Sequence, residues 1–287
     1  MLQDLSFGAL DNQYRHHLPQ DEDMAVCIRG SEILLERRED GTLHLPRVAQ
    51  AEGWRGDWIS WLDEPYRYVF TMQEKRFFLF LGEAGTCEDE RFSYIPVSTL
   101  RDPSSKDVCF ALMTAWHLYC WYRDNRFCGR CSSPTVHDSK ERMMRCPACG
   151  NMIFPRIAPA AIIALTNGDK LILSKYAGRS FTRYGLLAGF IEIGETAEEA
   201  VAREVMEEVG LKVKNIRYYK SQPWGIAGNL SVGYFCDLDG DDDTVTLDEN
   251  ELSAAVWFRR DEIPYTDEGI SLTGEMIRMF QEGREPK

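Results

Sequence analysis

The sequence predicts a chain of mixed α+β and α/β character in three consecutive parts. Alternating apolar runs in residues 25–97 indicate a small, mostly antiparallel β domain, which we place at residues 1–126 and expect to end in a long helix. Two CxxC pairs indicate a zinc ribbon in residues 127–155. Strand-like segments on both sides of an amphipathic helix predict an α/β/α sandwich around a mixed sheet in residues 156–287.

Length and charge limit the function classes. The chain has 287 residues and a net charge of −13. This length allows more than one core, and the acidic balance argues against general nucleic-acid binding while leaving room for a local basic patch. No apolar run approaches the roughly 18–20 residues of a membrane helix. The first residues lack the charged and apolar regions of a secretory signal, so we expect a cytoplasmic protein.

The first part is expected to be built from strands. Residues 25–37 contain two apolar runs around Gly30, and residues 66–82 repeat this form with residues 73–76 as the turn. Several aromatic side chains could stack on a base, although core packing is the more common role: Trp54, Trp58, Trp61, Tyr66 and Tyr68.

Residues 103–126 then predict a helix, in which we interpret His117 as a packed side chain. Its buried face is expected to hold Val108, Ala111, Leu112, Ala115, Leu118, Tyr119 and Tyr122.

Four cysteines in two CxxC pairs, separated by fourteen residues, follow this helix: Cys128, Cys131, Cys146 and Cys149. Such pairs supply four thiolates to a tetrahedral Zn²⁺, and two redox pairs are the less common alternative. Because every ligand is a cysteine, we expect one structural zinc per subunit. Zinc ribbons can also bind nucleic acid, but most surface cations bind nothing; the cations around this one are Arg126, Arg130, Lys140, Arg142 and Arg145. We interpret the other five cysteines as buried thiols: Cys27, Cys87, Cys109, Cys120 and Cys236.

Strands and one further helix are expected after the ribbon. The predicted strands are residues 160–165, 170–176, 211–219, 231–238 and 254–263. Asn167 and Gly168 predict a hairpin turn between the first two. The acidic residues 239–243 are interpreted as a solvated loop, and residues 271–281 as a closing helix.

The most informative stretch is residues 189–211. Thr196 and Glu199 form a capping box, which predicts a helix from Ala197, and Gly210 is expected to end that helix with a positive φ. Helical spacing predicts a buried face made of Ala202, Val205, Met206 and Val209. It places Glu204, Glu207 and Glu208 on the opposite side.

Three carboxylates within two turns allow two interpretations. Most such clusters are solvated faces. A loop that holds Gly189, Gly194 and Glu195 precedes this helix, however, and clustered carboxylates beside a loop are typical of a site for a hard divalent cation. Spacing alone leaves both interpretations open.

The stretch resembles the signature of the Nudix hydrolases at every position. The matching residues are Gly189, Glu195, Arg203, Glu204, Val205, Glu207, Glu208, Gly210 and Leu211. The resemblance implies metal-dependent hydrolysis, with Mg²⁺ or Mn²⁺, of a nucleoside diphosphate linked to another moiety.

The order of β domain, ribbon and box resembles the bacterial NADH pyrophosphatases, and Ser221–Trp224 matches their SQPW segment. The resemblance implies cleavage of NADH or NAD⁺ to nicotinamide mononucleotide and AMP, and it permits removal of NAD caps from RNA. It also implies a homodimer in which Phe190 stacks on the adenine. That family continues with Pro-Phe-Pro, whereas this chain has Gly225-Ile226-Ala227, which leaves the exact substrate open.

Carried over by position, the family's catalytic metal ligands fall on Glu204, Glu208, Glu251 and the carbonyl of Ala188. Glu207 or Glu208 would be the general base, and Arg203 would orient a catalytic glutamate. The implied substrate contacts are Arg101, Phe154, Phe190, Gln222, Pro223, Trp224, Gly225, Ile226, Ala227, Gly228, Asn229 and Thr273.

Without the resemblance, Trp224 would be interpreted as a core residue, Gln222 as a loop cap and Glu251 as one charge in an acidic run. Two other functions therefore remain open. One is hydrolysis of ADP-ribose or a diadenosine polyphosphate. The other is a non-catalytic regulator that uses its ribbon to bind nucleic acid.

Overall fold

The computed structural model describes residues 1–5, 10–54, 64–82, 85–101, 103–178, 183–265 and 267–287. They form two compact units. The first comprises residues 2–156 and 225–228, and the second comprises Met1 and residues 157–224 and 229–287. Trp58 and Trp61 lie outside the described residues. Among the described residues, no helix is long and apolar enough to cross a membrane.

The first unit begins with two four-stranded sheets. Its strands are β1 (Leu10–Asp11), β2 (Met24–Val26), β3 (Ile28–Arg29), β4 (Glu32–Arg37), β5 (Leu43–His44), β6 (Tyr66–Met72), β7 (Lys75–Phe80) and β8 (Phe92–Pro96), with a short helix α1 (Val48–Ala51) after β5. One sheet has the order β1-β6-β7-β2, and in the other β4 pairs with β3, β5 and β8. All strand pairs within the described part of these sheets are antiparallel except β2–β7, so the prediction of a mostly antiparallel domain is confirmed.

Helix α2 (Lys106–Asp124) follows these sheets. It begins three residues later than predicted because Pro103–Ser105 form a separate 3-10 turn. Most of the predicted inner face is buried, while Val108 and Tyr119 are half-buried. His117 Nε2 lies 2.8 Å from the carbonyl oxygen of Arg156, which agrees with a packed histidine.

The zinc ribbon completes the first unit. Its strands are β9 (Val136–His137), β10 (Met144–Arg145) and β11 (Met152–Ile153). They form a three-stranded antiparallel sheet with β10 in the middle.

The second unit contains a six-stranded mixed sheet and two helices. Its elements are β12 (Ala158–Asn167), β13 (Lys170–Tyr176), β14 (Leu187–Phe190), α3 (Ala197–Val209), β15 (Val213–Trp224), β16 (Asn229–Leu238), β17 (Leu252–Arg259) and α4 (Leu272–Gln281). The sheet order is β15-β16-β12-β13-β17, with β14 also paired to β12. Among the described strands of this sheet, only β12 and β16 pair in parallel. Gly168 takes a φ of 61° in the predicted hairpin turn.

The two helices cover opposite faces of this sheet. Successive residues of β12 point to opposite sides, so Ile163 packs in the core with Val205 of α3, while Ala164 packs with Met276 of α4. The predicted α/β/α sandwich is therefore confirmed.

The predicted buried face of α3 was wrong at Ala202 and Met206, which are both exposed. The buried positions are Ala200, Val201, Glu204, Val205, Glu208 and Val209. The spacing argument assumed that every carboxylate points to water. Two of the three instead point inward, and only Glu207 is exposed as expected.

Candidate active site and zinc centre

The carboxylate cluster is built on the junction of β14 with α3. Strand β14 lies beside β12, with Ala188 opposite Ile162 and Gly189 opposite Ala161. In the loop that follows, the amide of Glu192 donates a 2.7 Å hydrogen bond to Glu195 Oε1. The sheet and this bond fix the backbone that precedes the helix.

Both predicted ends of α3 are confirmed. Thr196 Oγ1 accepts a hydrogen bond from the Glu199 amide, and the Glu199 carboxylate accepts one from the Thr196 amide. Gly210 ends the helix with a φ of 71°. These caps fix which residues of the helix face the loop.

Glu204 and Glu208 are buried on the inner face of α3, with exposed fractions of 8% and 1%. The Glu204 carboxylate lies directly against Gly189: a Cβ atom there would be only 1.8 Å from Glu204 Cδ. A side chain at residue 189 would therefore displace the Glu204 carboxylate, whereas glycine leaves it in place.

Arg203 connects the loop to the helix. Its guanidinium donates to both carboxylate oxygens of Glu195 at 2.6 and 3.0 Å, and to the Phe190 carbonyl at 3.0 Å. It also donates to Glu204 Oε1 and Glu207 Oε2, each at 2.8 Å. The Arg203 hydrogen bonds lower the pKa of Glu195 to about 2, so this carboxylate stays ionised.

Burial raises the pKa of Glu204, although Arg203 opposes that change. The negative charges of Glu207 and Glu251 raise the pKa of Glu204 further.

The chain that carries Glu251 is attached to the end of α3. The amide of Thr246 donates to the Val209 carbonyl at 2.9 Å, and the amide of Asp248 donates to the Glu208 carbonyl at 3.1 Å. Glu251 follows in an exposed turn. The turn that carries Glu251 is therefore tied to the C-terminal end of α3.

The cluster fits a divalent cation. Two buried carboxylates one turn apart repel each other and lose hydration, so they need a positive charge nearby. Arg203 supplies one such charge, and it also contacts Glu195 and Glu207. Carboxylate and carbonyl oxygens are the ligands that hard divalent cations prefer.

The predicted substrate residues of the second unit differ in accessibility. Phe190 is 52% exposed and Pro223 is exposed, whereas Trp224, Asn229 and Thr273 are half-buried.

Gln222 is buried at 1% exposure. Its side-chain amide donates to the Ile270 carbonyl at 2.9 Å and accepts from the Leu272 amide at 2.7 Å. These contacts support the interpretation as a cap, here at the start of α4.

The other predicted substrate residues belong to the first unit. Arg101 is exposed, and Phe154 is 51% exposed. A Cβ atom on Gly225 would lie 2.2 Å from the Met113 carbonyl oxygen, and Gly228 takes a φ of 71°. Residues 225–228 therefore form a tight turn against α2, which explains glycine where the related family has proline. Of the two intervening residues, Ile226 is half-buried and Ala227 is exposed.

The four ribbon cysteines are arranged to bind zinc. Their Sγ atoms all lie within 4.8 Å of one another. The Cys128–Cys149 and Cys131–Cys146 Sγ distances are 3.7 and 3.4 Å, close to the roughly 3.8 Å expected for sulfurs about 2.3 Å from a tetrahedral zinc. The backbone amide of Arg130 donates to Cys128 Sγ at 3.4 Å, which favours the thiolate.

Sequence reasoning missed a buried carboxylate in the closing helix. Glu275 accepts hydrogen bonds from Tyr219 Oη at 2.7 Å and from Lys220 Nζ, and its pKa is lowered although burial opposes this. The available signal was a charged residue on the apolar face of α4, one residue before Met276.

Comparison with known families agrees with this architecture. Residues 156–279 match the NUDIX domain, and residues 123–154 match the NADH pyrophosphatase zinc ribbon domain. Residues 156–279 of this chain are therefore a NUDIX domain. The ribbon is of the NADH pyrophosphatase type, and the Nudix domain implies a divalent metal.

Curated relatives match half of the chain. A protein named NAD-capped RNA hydrolase NudC from Salmonella schwarzengrund (strain CVM19633) is 43% identical over 145 residues, and its namesake from Klebsiella pneumoniae (strain 342) is 42% identical over 145 residues. The matched region covers 50% of this chain and 55% of each relative, so the chain spans about half the length of the relatives it matches. Among solved structures, a Nudix hydrolase from Nitrosomonas europaea covers 55% of this chain and 91% of its own, with 21% identity and a TM-score of 0.46.

Proposed function

We propose that this protein hydrolyses the pyrophosphate bond of NADH and NAD⁺ to nicotinamide mononucleotide and AMP, including NAD that caps RNA. The observation that carries the proposal is the buried pair Glu204 and Glu208, of which Glu204 is held by Arg203 and has its pKa raised by the charge of Glu251. The ribbon of the NADH pyrophosphatase type and relatives named NAD-capped RNA hydrolase support this choice of substrate.

Glu204, Glu208, Glu251 and the Ala188 carbonyl would hold the catalytic cation, for which we propose Mg²⁺ or Mn²⁺. A divalent cation bound there neutralises phosphate oxygens and makes the phosphorus open to attack by water. Glu207 or Glu208 takes the proton of that water as the general base. Arg203 positions Glu204 and Glu207 and does not itself bind phosphate.

Two aromatic rings are available to nucleobases. Phe190 exposes about half of its surface beside the carboxylate loop, and Phe154 is similarly exposed on the other unit. We assign Phe190 to stacking on the adenine. Arg101, Pro223, Trp224, Asn229, Thr273 and residues 225–228 complete the proposed substrate contacts, whereas Gln222 acts by holding α4.

We further propose a homodimer in the cytoplasm. An exposed phenylalanine that stacks on a substrate gains from a second subunit, because a partner surface excludes water from the ring. Sedimentation equilibrium at micromolar concentration tests this. A monomer with full activity contradicts the dimer.

The test of the function is hydrolysis of NADH, NAD⁺, ADP-ribose and a diadenosine polyphosphate with Mg²⁺ or Mn²⁺, with products separated by chromatography. We expect the highest kcat/KM for NADH or NAD⁺, with AMP and the mononucleotide as products. A preference of about tenfold or more for another substrate, roughly 1.4 kcal/mol in the transition state, would reject the assignment.

The variant Glu208→Gln should lower kcat by about 10²–10⁴-fold, the usual contribution of a general acid or base. Its melting temperature should remain near that of the parent, because the amide has the same shape. Near-normal turnover would remove Glu208 from the catalytic set.

Hydrolysis of ADP-ribose or a diadenosine polyphosphate remains the second candidate. The observation in its favour is the Gly225–Ala227 segment, which departs from the family's Pro-Phe-Pro. Absence of turnover with every substrate would instead favour a regulator that binds nucleic acid.

A further inference from the structure

One face of the zinc ribbon sheet exposes a row of apolar side chains. Val136 and Met152 each lie directly opposite Arg145, from the two sides of β10. Directly opposed residues of antiparallel strands project to the same face, so these three side chains form a row across the sheet. Val136 is 44% exposed and Met152 is 55% exposed.

The row continues at both ends. Phe127, 59% exposed, bridges Pro134, which lies two residues before Val136 and thus on the same face. Phe154, two residues after Met152, keeps the same alternation. Phe127, Pro134, Val136, Arg145, Met152 and Phe154 are called the ribbon face below.

The opposite side of the sheet is the packed one. Met144 is completely buried, and its partners His137 and Ile153 are half-buried. Thr135, next to Val136, is 1% exposed. The ribbon face is therefore not needed for the ribbon's own core.

The one basic residue of the ribbon face, Arg145, is held in place by an acidic neighbour. Arg145 donates to Asp138 Oδ2 at 2.9 and 3.2 Å, while 44% of its side chain remains exposed. Backbone hydrogen bonds from Lys140 and Glu141, together with Arg145, lower the pKa of Asp138 to about 2. The guanidinium is thus fixed at the centre of an apolar row.

Charge identifies the kind of partner. Residues 126–156 contain six basic and two acidic residues and therefore carry a net charge of +4. Because the whole chain carries −13, the remaining residues carry −17. Four thiolates and one Zn²⁺ reduce the ribbon balance to +2, which is still positive. A polyanion is therefore attracted to the ribbon and repelled by the rest of the chain.

We infer that the ribbon face binds the single-stranded RNA that follows an NAD cap. Unpaired bases stack on exposed apolar and aromatic side chains, and phosphates pair with fixed cations such as Arg145. This inference rests on the proposed function for the presence of an RNA chain. Phe154, proposed above for the substrate, lies at one end of the row.

Two readouts test the inference on the full chain. The first is fluorescence anisotropy with a labelled, uncapped RNA of about ten nucleotides, within the range that one binding module covers. The second compares kcat/KM for NADH with kcat/KM for an NAD-capped RNA. Val136→Glu and Met152→Glu place a negative charge on the face, and Leu18→Glu is the control at an apolar residue that is 70% exposed elsewhere.

We expect each ribbon variant to weaken RNA binding by about tenfold and to lower kcat/KM for capped RNA by a similar factor, with kcat/KM for NADH unchanged. Leu18→Glu should change none of these. A duplex of the same sequence should bind at least about tenfold more weakly, since its bases are not available for stacking.

Equal RNA affinity of the ribbon variants and the parent would overturn the inference, and so would equal affinity for the duplex. A changed oligomeric state with unchanged RNA affinity would identify the face as a contact between copies of this chain. If a glutamate variant loses zinc, the serine variant at the same residue, Val136→Ser or Met152→Ser, is used instead. RNA binding is again expected to weaken. Failure of NADH hydrolysis in the parent rejects the proposed function, while the RNA affinity still decides the ribbon face separately.

Discussion

The role proposed for Glu251 depends on the residues near it and not on its sequence context alone. Glu251 belongs to an acidic run, and Glu249, two residues earlier, is also exposed. The charge of Glu251 raises the pKa of Glu204, and its turn is tied to α3 through Asp248 and Glu208. Among the acidic residues of this run, Glu251 is therefore the one that we propose as a ligand of the catalytic metal.

Replacing Glu251 with Gln should weaken activation by Mg²⁺ or Mn²⁺ by about 10–100-fold, the range found when groups that support a metal site are removed. Glu249→Gln is the matched control, because it removes the same charge two residues away. The measurement is initial rate against metal concentration. Equal curves for the two variants would show that Glu251 is only a surface charge.

Gly225 illustrates a residue whose role the sequence could not reveal. From the sequence alone, glycine where the family has proline leaves the identity of the substrate open. The structure shows that the Met113 carbonyl oxygen leaves no room for a side chain at residue 225. The departure is thus explained by packing of the backbone against α2.

The variant Gly225→Ala should lower the free energy of unfolding by about 1–3 kcal/mol, as expected for overpacking. Gly53→Ala, where a Cβ atom has nothing within 4 Å, should have little effect. Denaturant unfolding of the two variants provides the comparison. A stable Gly225→Ala protein with altered substrate preference would instead place the segment in the pocket.

At the scale of elements, the ends of α3 and the central hairpin could be predicted because local chemistry determines them. Thr196, Glu199 and Gly210 act within one turn of their own positions. The inner face of α3 could not be predicted in this way. The Glu204 carboxylate lies against Gly189, and the Glu208 carbonyl accepts a hydrogen bond from the Asp248 amide; both contacts lie well beyond one helical turn in the sequence.

The zinc ribbon should behave as a structural element. One Zn²⁺ per chain is expected by atomic emission spectroscopy, and Cys146→Ser should abolish it, since a missing thiolate breaks the tetrahedral set. Because such a metal contributes folding energy, chelation should lower the melting temperature. Added Mg²⁺ or Mn²⁺ should not reverse that change. Full recovery with Mg²⁺ would contradict a separate structural metal.

At the scale of the molecule, the sandwich and ribbon followed from periodicity and cysteine spacing, whereas the grouping of residues 225–228 with the first unit did not. Nor did sequence indicate the aromatic cluster around His137, whose ring nitrogens lie 2.8 Å from Tyr14 Oη and 2.7 Å from Tyr122 Oη. Tyr14 and Tyr122 are 123 and 15 residues from His137 in the sequence, which is too far for a local sequence pattern to indicate the contacts.

Stability of the whole protein should depend on the protonation of His137. Burial and the charges of Arg67 and Arg142 lower its pKa from 6.5 to about 4. The unfolded state therefore binds a proton more readily, and the free energy of unfolding should fall as the pH decreases from 6.5 towards 4. His44, with a pKa that is also lowered by burial, acts in the same direction.

Denaturant unfolding between pH 7.5 and 4.5 measures this dependence. The variant His137→Asn should be less stable at pH 7 and should show a weaker decline with acid. If the free energy of unfolding of this variant falls with decreasing pH as steeply as that of the parent protein, other groups determine the acid sensitivity.

The geometry of Arg203 also sets an upper limit on what that side chain can do. A guanidinium has five N–H donors. Five contacts, two to Glu195 and one each to Glu204, Glu207 and the Phe190 carbonyl, use that number completely. No donor remains for a phosphate oxygen, and a lysine, with three donors, could not replace the arginine. Arg203 therefore offers no donor to the substrate, and a metal held by the neighbouring carboxylates would supply the positive charge there, so substrate and metal should each raise the affinity for the other.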